Sequence, residues 1–547
     1  MNFQFLVDIF QKSLEKTGVS EGYKLFFESP KNPENGDLAT NVAMQLAKAM
    51  KQAPRQIAET IIKNLEYDKT IIENIEIAGA GFINVKFSNN FFYNELINAT
   101  ETRDLFGKGK SGAGKKVNVE YVSANPTGLL HMGHGRNACI GDTVANMYEW
   151  NGWEVTREYY FNNAGNQMNN LGKSIFARYM HLLGEQDFPF PEDGYHGSYI
   201  ITIAEMLMTH HGDSLKSSTT EDLAVCRKYG EQWCFDRIIE TMKALNVHHD
   251  IFFNEDTLYT DGKVNDVIEQ LKALNLAYEK EGALWIALSK MGLKDDRVIV
   301  KSSGEPTYRL PDIAYHIVKF QRGYDQLIDV FGADHIATVP DVLAALKALN
   351  YDISKIDVLI HQFVTLTENG EQVKMSKRSG KSYTLDELIE EVGSDVVRFF
   401  FLMRGITTHL EFDLALAREQ SDKNPVFYLQ YAHARISSVL DTAKDREINK
   451  KDSFDPILLK EKQELDLIKI LLKFPAVVES SCEKCEPQIL AEYLRELAAA
   501  FHVFYHDCRI LGVDSDLQNS RLHLANITKI AMRNGLTILG INAPDRM

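Results

Sequence analysis

The stretch from Val117 to Arg136, VNVEYVSANPTGLLHMGHGR, constrains the fold more than any other part of the chain. A strand-like run, VNVEYVSA, leads through Pro126 and Gly128 into two histidines set three residues apart. The next residues, GHGRNACIGDTVANMYEWNG, predict a helix, and EVTREYYFNN predicts a second strand. A strand, a crossover helix and another strand in this order indicate a parallel sheet.

The chain is too long for one hydrophobic core, and its 547 residues suggest roughly three or four domains. Helical and strand-like stretches over residues 1–110 predict a small α+β domain. The glycine- and lysine-rich stretch FGKGKSGAGKK follows, and it is the best candidate for a linker. Residues 111–395 predict a Rossmann-type α/β domain, with a helical insertion over about residues 171–249.

Further strand-like runs are expected to complete this sheet, which closes near Thr367; they are ALWIAL, RVIVKSS, QLIDVFGADH and DVLIHQFVTLT. Residues 396–424 are expected to form a connecting helical region. Apolar residues recur every three or four positions over residues 425–547, which predicts an all-α helix bundle.

Cysteine and histidine spacing does not indicate a metal site. Six cysteines are too few for a disulfide framework in this chain, and only Cys482 and Cys485 have metal-like spacing. A tetrahedral zinc site needs a second pair of ligands, and none follows nearby. In the run His248–Asp250, adjacent side chains of a strand would point to opposite faces. We therefore expect neither zinc nor another metal bound by protein ligands.

The sequence also limits where the protein acts and what it binds. No run reaches the ~18 apolar residues of a membrane span, and the first residues do not resemble a leader, so we expect a cytoplasmic protein. The net charge of −16 is concentrated in residues 111–424, which hold 31 basic and 45 acidic residues. Nearly neutral flanks can grip a polyanion, and an acidic centre suits a cationic substrate. The alternative is that the acidic residues only keep the protein soluble, which would explain the same charge distribution.

The histidine motif HMGHGR follows the first strand of the predicted sheet. Ligands of such sheets bind at the carboxyl ends of the strands, where helix N-termini favour phosphate. His131 and His134 can donate hydrogen bonds to phosphate oxygens, and Gly133 and Gly135 allow close approach to the backbone. This motif therefore predicts a nucleotide site. A pair of helix-capping or core histidines is the alternative.

A second motif, VKMSKRSGK, carries four cations on one glycine-containing stretch, namely Lys374, Lys377, Arg378 and Lys381. Together with Ser376 and Gly380, these residues suit a loop that closes over a polyphosphate whose charge shifts during a reaction. A solvated basic turn is the alternative, and the position of the motif late in the same α/β unit favours the loop.

Together the two motifs resemble those of class I aminoacyl-tRNA synthetases, with HMGH in place of the HIGH element and KMSKR in place of KMSKS. The wider sequence resembles arginyl-tRNA synthetases over essentially the whole chain. The matching stretches are GDLATNVAMQLAK, GAGFINVKFS, SANPTGLLHMGHGR, GADH, KMSKRSGK and NPVFYLQYAHARI. Met132 replaces the isoleucine of the HIGH element, which exchanges one apolar residue for another.

The resemblance implies ATP-dependent activation of L-arginine to arginyl-adenylate. The arginine is then transferred to the 3′-terminal adenosine of tRNA(Arg), with release of AMP and pyrophosphate. The catalytic residues that it implies are His131, His134, Lys377 and Lys374. Residues expected to bind ATP, which arrives with Mg²⁺, are Gly133, His131, His134, Gly332, Asp334, Ser376 and Lys377. An ordinary strand-to-helix cap is the alternative for the GADH stretch.

Recognition of a planar guanidinium calls for paired carboxylate acceptors. The family pattern implies that Glu120 and Asp312 bind the guanidinium and that Tyr308 packs or hydrogen-bonds beside it. Asn125 is expected to hold the α-amino or carboxylate end of arginine. Without the resemblance, Glu120 would be interpreted as a strand-end surface acid and Asp312 as a helix N-cap. A site that recognises charge rejects neutral analogues strongly, so no editing domain is expected.

The resemblance also implies that the N-terminal domain contacts the tRNA elbow and the terminal bundle contacts the anticodon. Candidates for these base contacts are Phe427, Tyr428, Tyr431, Arg435 and Met547, although bundle core is the simpler interpretation for most of the aromatic residues. We expect a monomer with arginine, ATP and tRNA(Arg) as partners. Two rival hypotheses are a small-molecule nucleotidyltransferase and a tRNA-binding relative without activity.

Overall fold

The computed structural model describes residues 3–19, 21–30, 32–217, 219–373, 383–446 and 453–547. Its α-helices are α1 (Gln4–Lys16), α2 (Val42–Met50), α3 (Pro54–Asn64), α4 (Asn89–Thr102), α5 (Met132–Trp150), α6 (Gly165–Leu182), α7 (Ser198–His211), α8 (Thr220–Ala244), α9 (Asp256–Thr260), α10 (Lys263–Ala273), α11 (Arg309–Gln321), α12 (Val339–Ala348), α13 (Leu385–Val392), α14 (Ser394–Leu402), α15 (Leu414–Arg418), α16 (Pro425–Asp445), α17 (Lys462–Leu471), α18 (Phe474–Glu483), α19 (Pro487–Asp507) and α20 (Ser515–Ile538). Its strands are β1 (Leu38–Thr40), β2 (Ile72–Ala78), β3 (Phe82–Phe87), β4 (Lys116–Glu120), β5 (Glu154–Phe161), β6 (Ile251–Asn254), β7 (Ala277–Lys280), β8 (Ala283–Ile286), β9 (Arg297–Val300), β10 (Gln326–Gly332), β11 (Ile356–His361), β12 (Val364–Glu368), β13 (Glu371–Gln372) and β14 (Leu410–Asp413).

A parallel sheet of five strands, in the order β11-β10-β4-β5-β6, forms the centre of the protein. Helix α5 is the crossover between β4 and β5 and is buried along most of its length. The order in the sheet reverses at β4, because β5 lies on one side of it and β10 on the other. Such a switch point leaves a crevice at the carboxyl ends of the strands. The predicted α/β fold class is therefore confirmed.

The strand-like runs after the helical insertion do not all join this sheet. Strands β8 and β9, which contain ALWI and RVIV, form a separate antiparallel sheet with β7. Strand β12 leaves the central sheet and pairs with β13 and β14. The expectation that all these runs complete one sheet was wrong, because alternation identifies a strand but not its partner.

The segment 396–424, which was expected to be helical, contains the strand β14. Buried Leu410 and Phe412 alternate with exposed Glu411 as in a strand, but so short an alternation is easily overlooked between helical segments. The stretch expected to be a helical insertion contains α6, α7 and α8, which share a core of their own. None of the described helices combines the length and the apolar character needed to cross a membrane.

The N-terminal residues form the antiparallel sheet β1-β3-β2, covered by α1 to α4, and this unit contacts the terminal helix bundle. The Tyr93 hydroxyl donates to the Leu459 carbonyl oxygen over 2.9 Å. Lys469 forms an ion pair with Asp37 over 2.8 Å. The two ends of the chain therefore lie side by side.

The glycine-rich stretch expected to be a linker is packed against two domains. Phe106 is buried with its ring centroid 5.7 Å from that of Phe474 in α18. The Gly109 N–H donates to the Trp150 carbonyl oxygen over 3.1 Å, which joins the stretch to the end of α5. A Cβ atom at Gly107, where φ is +88°, would lie 2.3 Å from the Phe474 ring. Glycine is required there by both the backbone and the packing.

We expect Gly107→Ala to lower the free energy of unfolding by about 2–5 kcal/mol, because it adds left-handed strain and a clash with Phe474. Gly114→Ala is the matched control, because its φ is +80° and a Cβ there has no described neighbour within 4 Å. That control should cost only the backbone strain of about 1–2 kcal/mol. Urea unfolding of both variants checks the difference, and equal midpoints would contradict the packed connector.

Candidate active site

A strained turn after β4 brings the predicted substrate residues into position. Val122 and Ser123 have φ values of +67° and +45°, a conformation that a β-branched residue rarely adopts. Asn137 of α5 accepts from the Val122 N–H over 2.6 Å, and the Tyr159 hydroxyl bonds to both backbone groups of Ala124. These bonds from α5 and β5 hold a turn that would otherwise relax.

The two histidines of the motif form the N-terminal cap of α5. His131 Nδ1 accepts from the N–H groups of Gly133 and His134 over 3.1 and 3.4 Å. His134 Nδ1 accepts from the His131 N–H over 3.3 Å, and the rings stack with centroids 3.7 Å apart. The capping alternative therefore describes this geometry correctly, and the capping contacts also fix both rings at the sheet edge.

His134 is held in its neutral form. Burial, with smaller contributions from the neighbouring His131 and His361, lowers the pKa of His134 to about 3. Its Nδ1 accepts a backbone N–H, so the proton of the neutral ring lies on Nε2. The ring is therefore a neutral hydrogen-bond donor at physiological pH.

The GADH stretch lies at the same edge of the sheet. Gly332 ends β10 and pairs in register with His361, which ends β11. Burial lowers the pKa of His361 to about 4. A Cβ atom at Gly332 would lie 2.6 Å from Asp334 Oδ1 and 3.9 Å from His361 Nε2, and Asn137 Nδ2 of α5 lies 3.3 Å from the same His361 nitrogen. The Asp334 side chain itself is exposed. The motif histidines and the GADH residues therefore line one crevice.

The residues that follow the lysine motif reach this crevice. Before it, the Val373 N–H donates to the Leu366 carbonyl oxygen over 2.9 Å. After it, Thr384 forms a β-bridge with His131, and the Leu385 N–H donates to the Leu130 carbonyl oxygen over 2.9 Å. The predicted residues Lys374, Ser376 and Lys377 lie outside the described residues.

An acidic cluster lies beside the strained turn. Burial raises the pKa of Asp312 to about 7; His316 lowers it, and the carboxylates of Glu120, Glu255 and Asp329 raise it. No described residue donates a hydrogen bond to the Asp312 carboxylate, although His316 Nδ1 bonds to its backbone oxygen over 2.8 Å. Glu120 and Asp312 therefore share one electrostatic environment, and Asp312 has its acceptor sites available.

Glu255 and Asn125 are joined by a hydrogen-bond chain along the same wall. Glu255 accepts from the Tyr160 hydroxyl over 2.7 Å and from Asn162 Nδ2 over 2.8 Å. The Asn162 N–H donates to Asn125 Oδ1 over 3.0 Å, and Asn125 Nδ2 donates to Gln167 over 3.0 Å. Asn125 therefore has a fixed orientation at the mouth of the cluster.

Tyr308 lies one helical turn before Asp312, at the N-terminus of α11. Residues four apart on a helix share a face, so both residues lie on the same side of α11. Tyr308 is 70% exposed, which shows that its ring does not yet cover the carboxylate. The expected packing beside a guanidinium would require the ring to turn inward.

A row of three buried carboxylates runs across the central sheet beneath the cluster. Glu120 of β4 pairs in register with Glu158 of β5 on one side and Asp329 of β10 on the other. Lys319 of α11 donates to Glu120 over 2.5 Å and to Asp329 over 2.6 Å. Arg322 donates to both oxygens of Glu158 over 2.8 Å. Two cations of one helix thus neutralise acids from three adjacent strands.

Four residues of this site were missed by sequence reasoning: Asn137, Glu255, Lys319 and His361. Glu255 and His361 stand at or just after the carboxyl ends of β6 and β11. Position after a strand was therefore a usable signal, but it was hidden where DVLIHQFVTLT was interpreted as one run. Lys319 follows Asp312 by seven residues and His316 by three, so helical spacing placed all three on one face.

The cysteine pair that resembles a metal motif is buried in the bundle. Burial raises the pKa of both Cys482 and Cys485 to about 12, so both remain protonated thiols. The His249 ring packs 4.3 Å from the Tyr121 ring, and burial lowers its pKa to about 3. The described part of the chain contains no group of three side chains suited to hold a metal ion.

The terminal bundle carries a patch of aromatic and basic side chains on α16 and α19. The Arg435 guanidinium lies 4.7 Å from the Tyr431 ring centroid and 5.0 Å from that of Tyr505. Tyr431 is 43% exposed and stacks with His502. Of the other candidates, Met547 is 59% exposed, and Phe427 and Tyr428 are half-buried.

Three known protein-family models match consecutive parts of the chain. The catalytic domain of class I (R) tRNA synthetases matches residues 97–398. The arginyl tRNA synthetase N terminal domain matches residues 4–87, and the DALR anticodon binding domain matches residues 429–547. A switch-point sheet whose edge carries the paired histidines defines, with these matches, a class I aminoacyl-tRNA synthetase.

Curated relatives cover the whole chain. The arginine–tRNA ligase of Salinibacter ruber is 48% identical, over 97% of this chain and 97% of its own. That of Pelodictyon phaeoclathratiforme is 45% identical over 100% of both chains. The chain belongs to the arginyl-tRNA synthetase family. Its activity is the ATP-dependent activation of arginine and the charging of tRNA with it.

Solved structures show the same fold. Thermus thermophilus arginyl-tRNA synthetase superposes with a TM-score of 0.78 at 23% identity, and each chain is covered in full. A methionyl-tRNA synthetase of Mycobacterium tuberculosis, in complex with methionyl-adenylate, has a TM-score of 0.54 at 13% identity. That likeness covers 78% of this chain and 92% of the other. The fold is therefore common to synthetases for different amino acids.

We expect the His134 ring to stay neutral, as the Nε2–H tautomer, from about pH 5 to 8, because burial and two imidazoles disfavour its charged form. NMR of protein labelled at histidine nitrogens measures this, and His134→Asn assigns the signal. The solvent-exposed His506 ring provides a comparison signal in the same spectra. A His134 titration midpoint near 6.5 would contradict the geometry.

Proposed function

We propose that the acidic cluster is the arginine pocket and that Asp312 is its principal guanidinium acceptor. The observation that carries this proposal concerns the Asp312 carboxylate, which has no described hydrogen-bond donor and lies among other acids. It stands beside the edge of the central sheet where the nucleotide site is predicted. A planar guanidinium offers two parallel N–H groups, which match the two oxygens of a carboxylate. Binding the cation relieves the repulsion that raises the pKa of Asp312.

The remaining substrate residues have supporting roles in this proposal. Glu120 and Glu255 add negative charge on two other sides of the guanidinium. Tyr308 turns inward to cover it and excludes water from the ion pair. Asn125 holds the α-amino or carboxylate end, and its bond to the Asn162 backbone supports this role because the amide is already oriented. A neutral analogue would leave the Asp312 carboxylate without a partner and is rejected.

For the ATP side, we propose that the arginine carboxylate oxygen attacks the α-phosphorus and that pyrophosphate leaves with the electrons of the broken bond. His131 and His134 donate to oxygens around the α-phosphate, and Gly133 allows this close approach. Gly332 and Asp334 contact the ribose or adenine. Donors fixed in advance stabilise the charge that develops in the transition state.

Lys377, supported by Lys374 and Ser376, is proposed to bind the departing phosphates. Thr384, which follows the lysine motif, forms a β-bridge with His131, and this contact supports the proposed role. Mg²⁺ is proposed to enter with ATP, held mainly by phosphate oxygens and water, and to neutralise phosphate charge. A hydroxyl of the terminal tRNA adenosine then attacks the arginyl carbonyl carbon and AMP leaves.

For tRNA, we propose that residues 1–110 contact the elbow and residues 425–547 contact the anticodon. The patch around Tyr431 and Arg435 supports this, because exposed rings backed by a guanidinium can stack on unpaired bases. Met547 extends this surface at the chain end. We also propose that the protein is a cytoplasmic monomer. Analytical ultracentrifugation at the protein concentration of the aminoacylation assay measures the oligomeric state.

Replacement of Asp312 by Asn tests the arginine pocket. We expect the KM for arginine to rise about 10²–10³-fold, because truncation of a buried charge pair costs about 2–5 kcal/mol, while the KM for ATP changes little. In the parent protein, kcat/KM for arginine should fall about tenfold per pH unit below about pH 7, since a protonated Asp312 cannot pair with a guanidinium.

This acid limb should be absent from Asp312→Asn. Asp357→Asn is the charge-matched control, because Asp357 is exposed near the opposite end of the sheet and should leave both the KM and the pH profile unchanged. An unchanged KM for arginine in Asp312→Asn would refute the proposed pocket.

For the anticodon patch, we expect Tyr431→Ala to raise the KM for tRNA about 5–100-fold, from loss of one stacked base worth about 1–3 kcal/mol. The KM for arginine at saturating tRNA should stay the same. Tyr278→Ala removes a similarly exposed ring of the small antiparallel sheet and serves as the control. Steady-state aminoacylation measures both variants, and equal tRNA affinities would argue against the patch.

A further inference from the structure

We infer that Lys319 is a positioning residue for arginine recognition, which it serves by holding Glu120 and Asp329 in place behind Asp312. This inference rests on the proposed pocket and deepens it. Lys319 is fully buried, and its ammonium donates to both carboxylates. The same ammonium lies 4.4 Å from the Tyr315 ring centroid, which adds a favourable contact for the charge.

The row of carboxylates gives Lys319 a task that no neutral side chain could perform. Neighbouring strands of a sheet are about 4.8 Å apart, so acids paired in register repel each other strongly when they are buried. Glu120 is the central member, with Glu158 on one side and Asp329 on the other. A single ammonium between Glu120 and Asp329 offsets this repulsion, so the two acids need not spread apart.

Lys319 acts on the pocket through two routes. It holds one oxygen of Glu120, while the Ser123 hydroxyl donates to the other over 2.9 Å, so the carboxylate cannot rotate. It also fixes α11 on the sheet, helped by His316, which bonds to Asp329 over 2.9 Å. Asp312 stands two turns before Lys319 on the same helix, so its position depends on this attachment.

The neighbouring pair of Arg322 and Glu158 provides a matched comparison. Arg322 lies on the same helix and binds the third carboxylate of the row. Glu120, Glu255 and Asp329 act on the pKa of Asp312, together with His316 of its own helix, and Glu158 is not among its main influences. If both cations only anchored α11, replacing Lys319 or Arg322 would affect arginine binding equally. A role of Lys319 in positioning the pocket acids would make the two replacements differ.

The experiment compares Lys319→Met with Arg322→Met in steady-state activation and charging. We expect Lys319→Met to raise the KM for arginine at least about tenfold, with the KM for ATP changed less than about twofold. Arg322→Met should lose comparable thermal stability and keep its KM for arginine within about threefold. Equal increases in the KM for arginine in both variants would overturn the inference.

Lys319→Met leaves two buried acids without their shared ammonium and is prone to misfolding. The double variant Lys319→Met, Asp329→Asn removes one acid along with the cation, so the net charge of the row is unchanged. It should regain stability and keep the raised KM for arginine, because Glu120 still lacks its ammonium. A double variant with parental arginine affinity would also overturn the inference.

The pH profile gives a readout that helix anchoring alone would not move. The groups that face Asp312 are Glu120, Glu255, Asp329, His316 and the hydroxyls of Tyr160 and Tyr259. Without the ammonium, the negative charges of Glu120 and Asp329 act on Asp312 uncompensated and raise its pKa, so the acid limb of kcat/KM for arginine should move to higher pH. It should not move in Arg322→Met. An unshifted limb in Lys319→Met would contradict the inference.

Asp312→Asn separates the two possible failures. If that variant keeps its arginine affinity, the proposed pocket itself is wrong and the role of Lys319 falls with it. If it loses affinity while Lys319→Met behaves like Arg322→Met, the pocket stands and only the positioning role is refuted.

Discussion

Most of the active-site geometry depends on three buried acids, one on each of three adjacent parallel strands, and on the cations of α11 that neutralise them. Removing an ionised group from water costs several kcal/mol even after the surroundings relax, so these acids are tolerated only when paired. Lys319 and Arg322 meet that requirement from one helix, which leaves α11 a single acceptable position on the sheet. The position of α11 in turn sets where Asp312 lies relative to Glu120 and Glu255 in the acidic cluster.

The histidine motif shows how structure and chemistry can share the same atoms. One nitrogen of each imidazole caps the helix, and the capping bond decides which nitrogen of His134 carries the proton. A pair of rings that only capped α5 would look the same in the sequence. What distinguishes a ligand site from a simple helix cap is the surroundings of the two rings, where Gly332 and His361 end the neighbouring strands.

The sequence was sufficient to predict the parallel sheet, its switch from strand to helix at HMGH, and the terminal bundle, because each has a local signature. It was insufficient for β8, β9 and β12, since the choice of strand partner is set by contacts distant in the chain. Lys319 was missed for the same reason: its meaning depends on acids from two strands far apart in sequence. The family resemblance supplied Glu120 and Asp312, which residue patterns alone would have assigned to surface or capping roles.

The connector around Gly107 has a consequence for how such a protein can be recombined. Its backbone touches the end of α5 and the Phe474 ring at once, so it belongs to the catalytic domain and the bundle as much as to the N-terminal unit. A chimera that took residues 1–116 from a relative would place a foreign connector against native surfaces of α5 and α18. The connector can therefore be exchanged only together with the surfaces of α5 and α18 that it contacts, which favours inheritance of the three domains together.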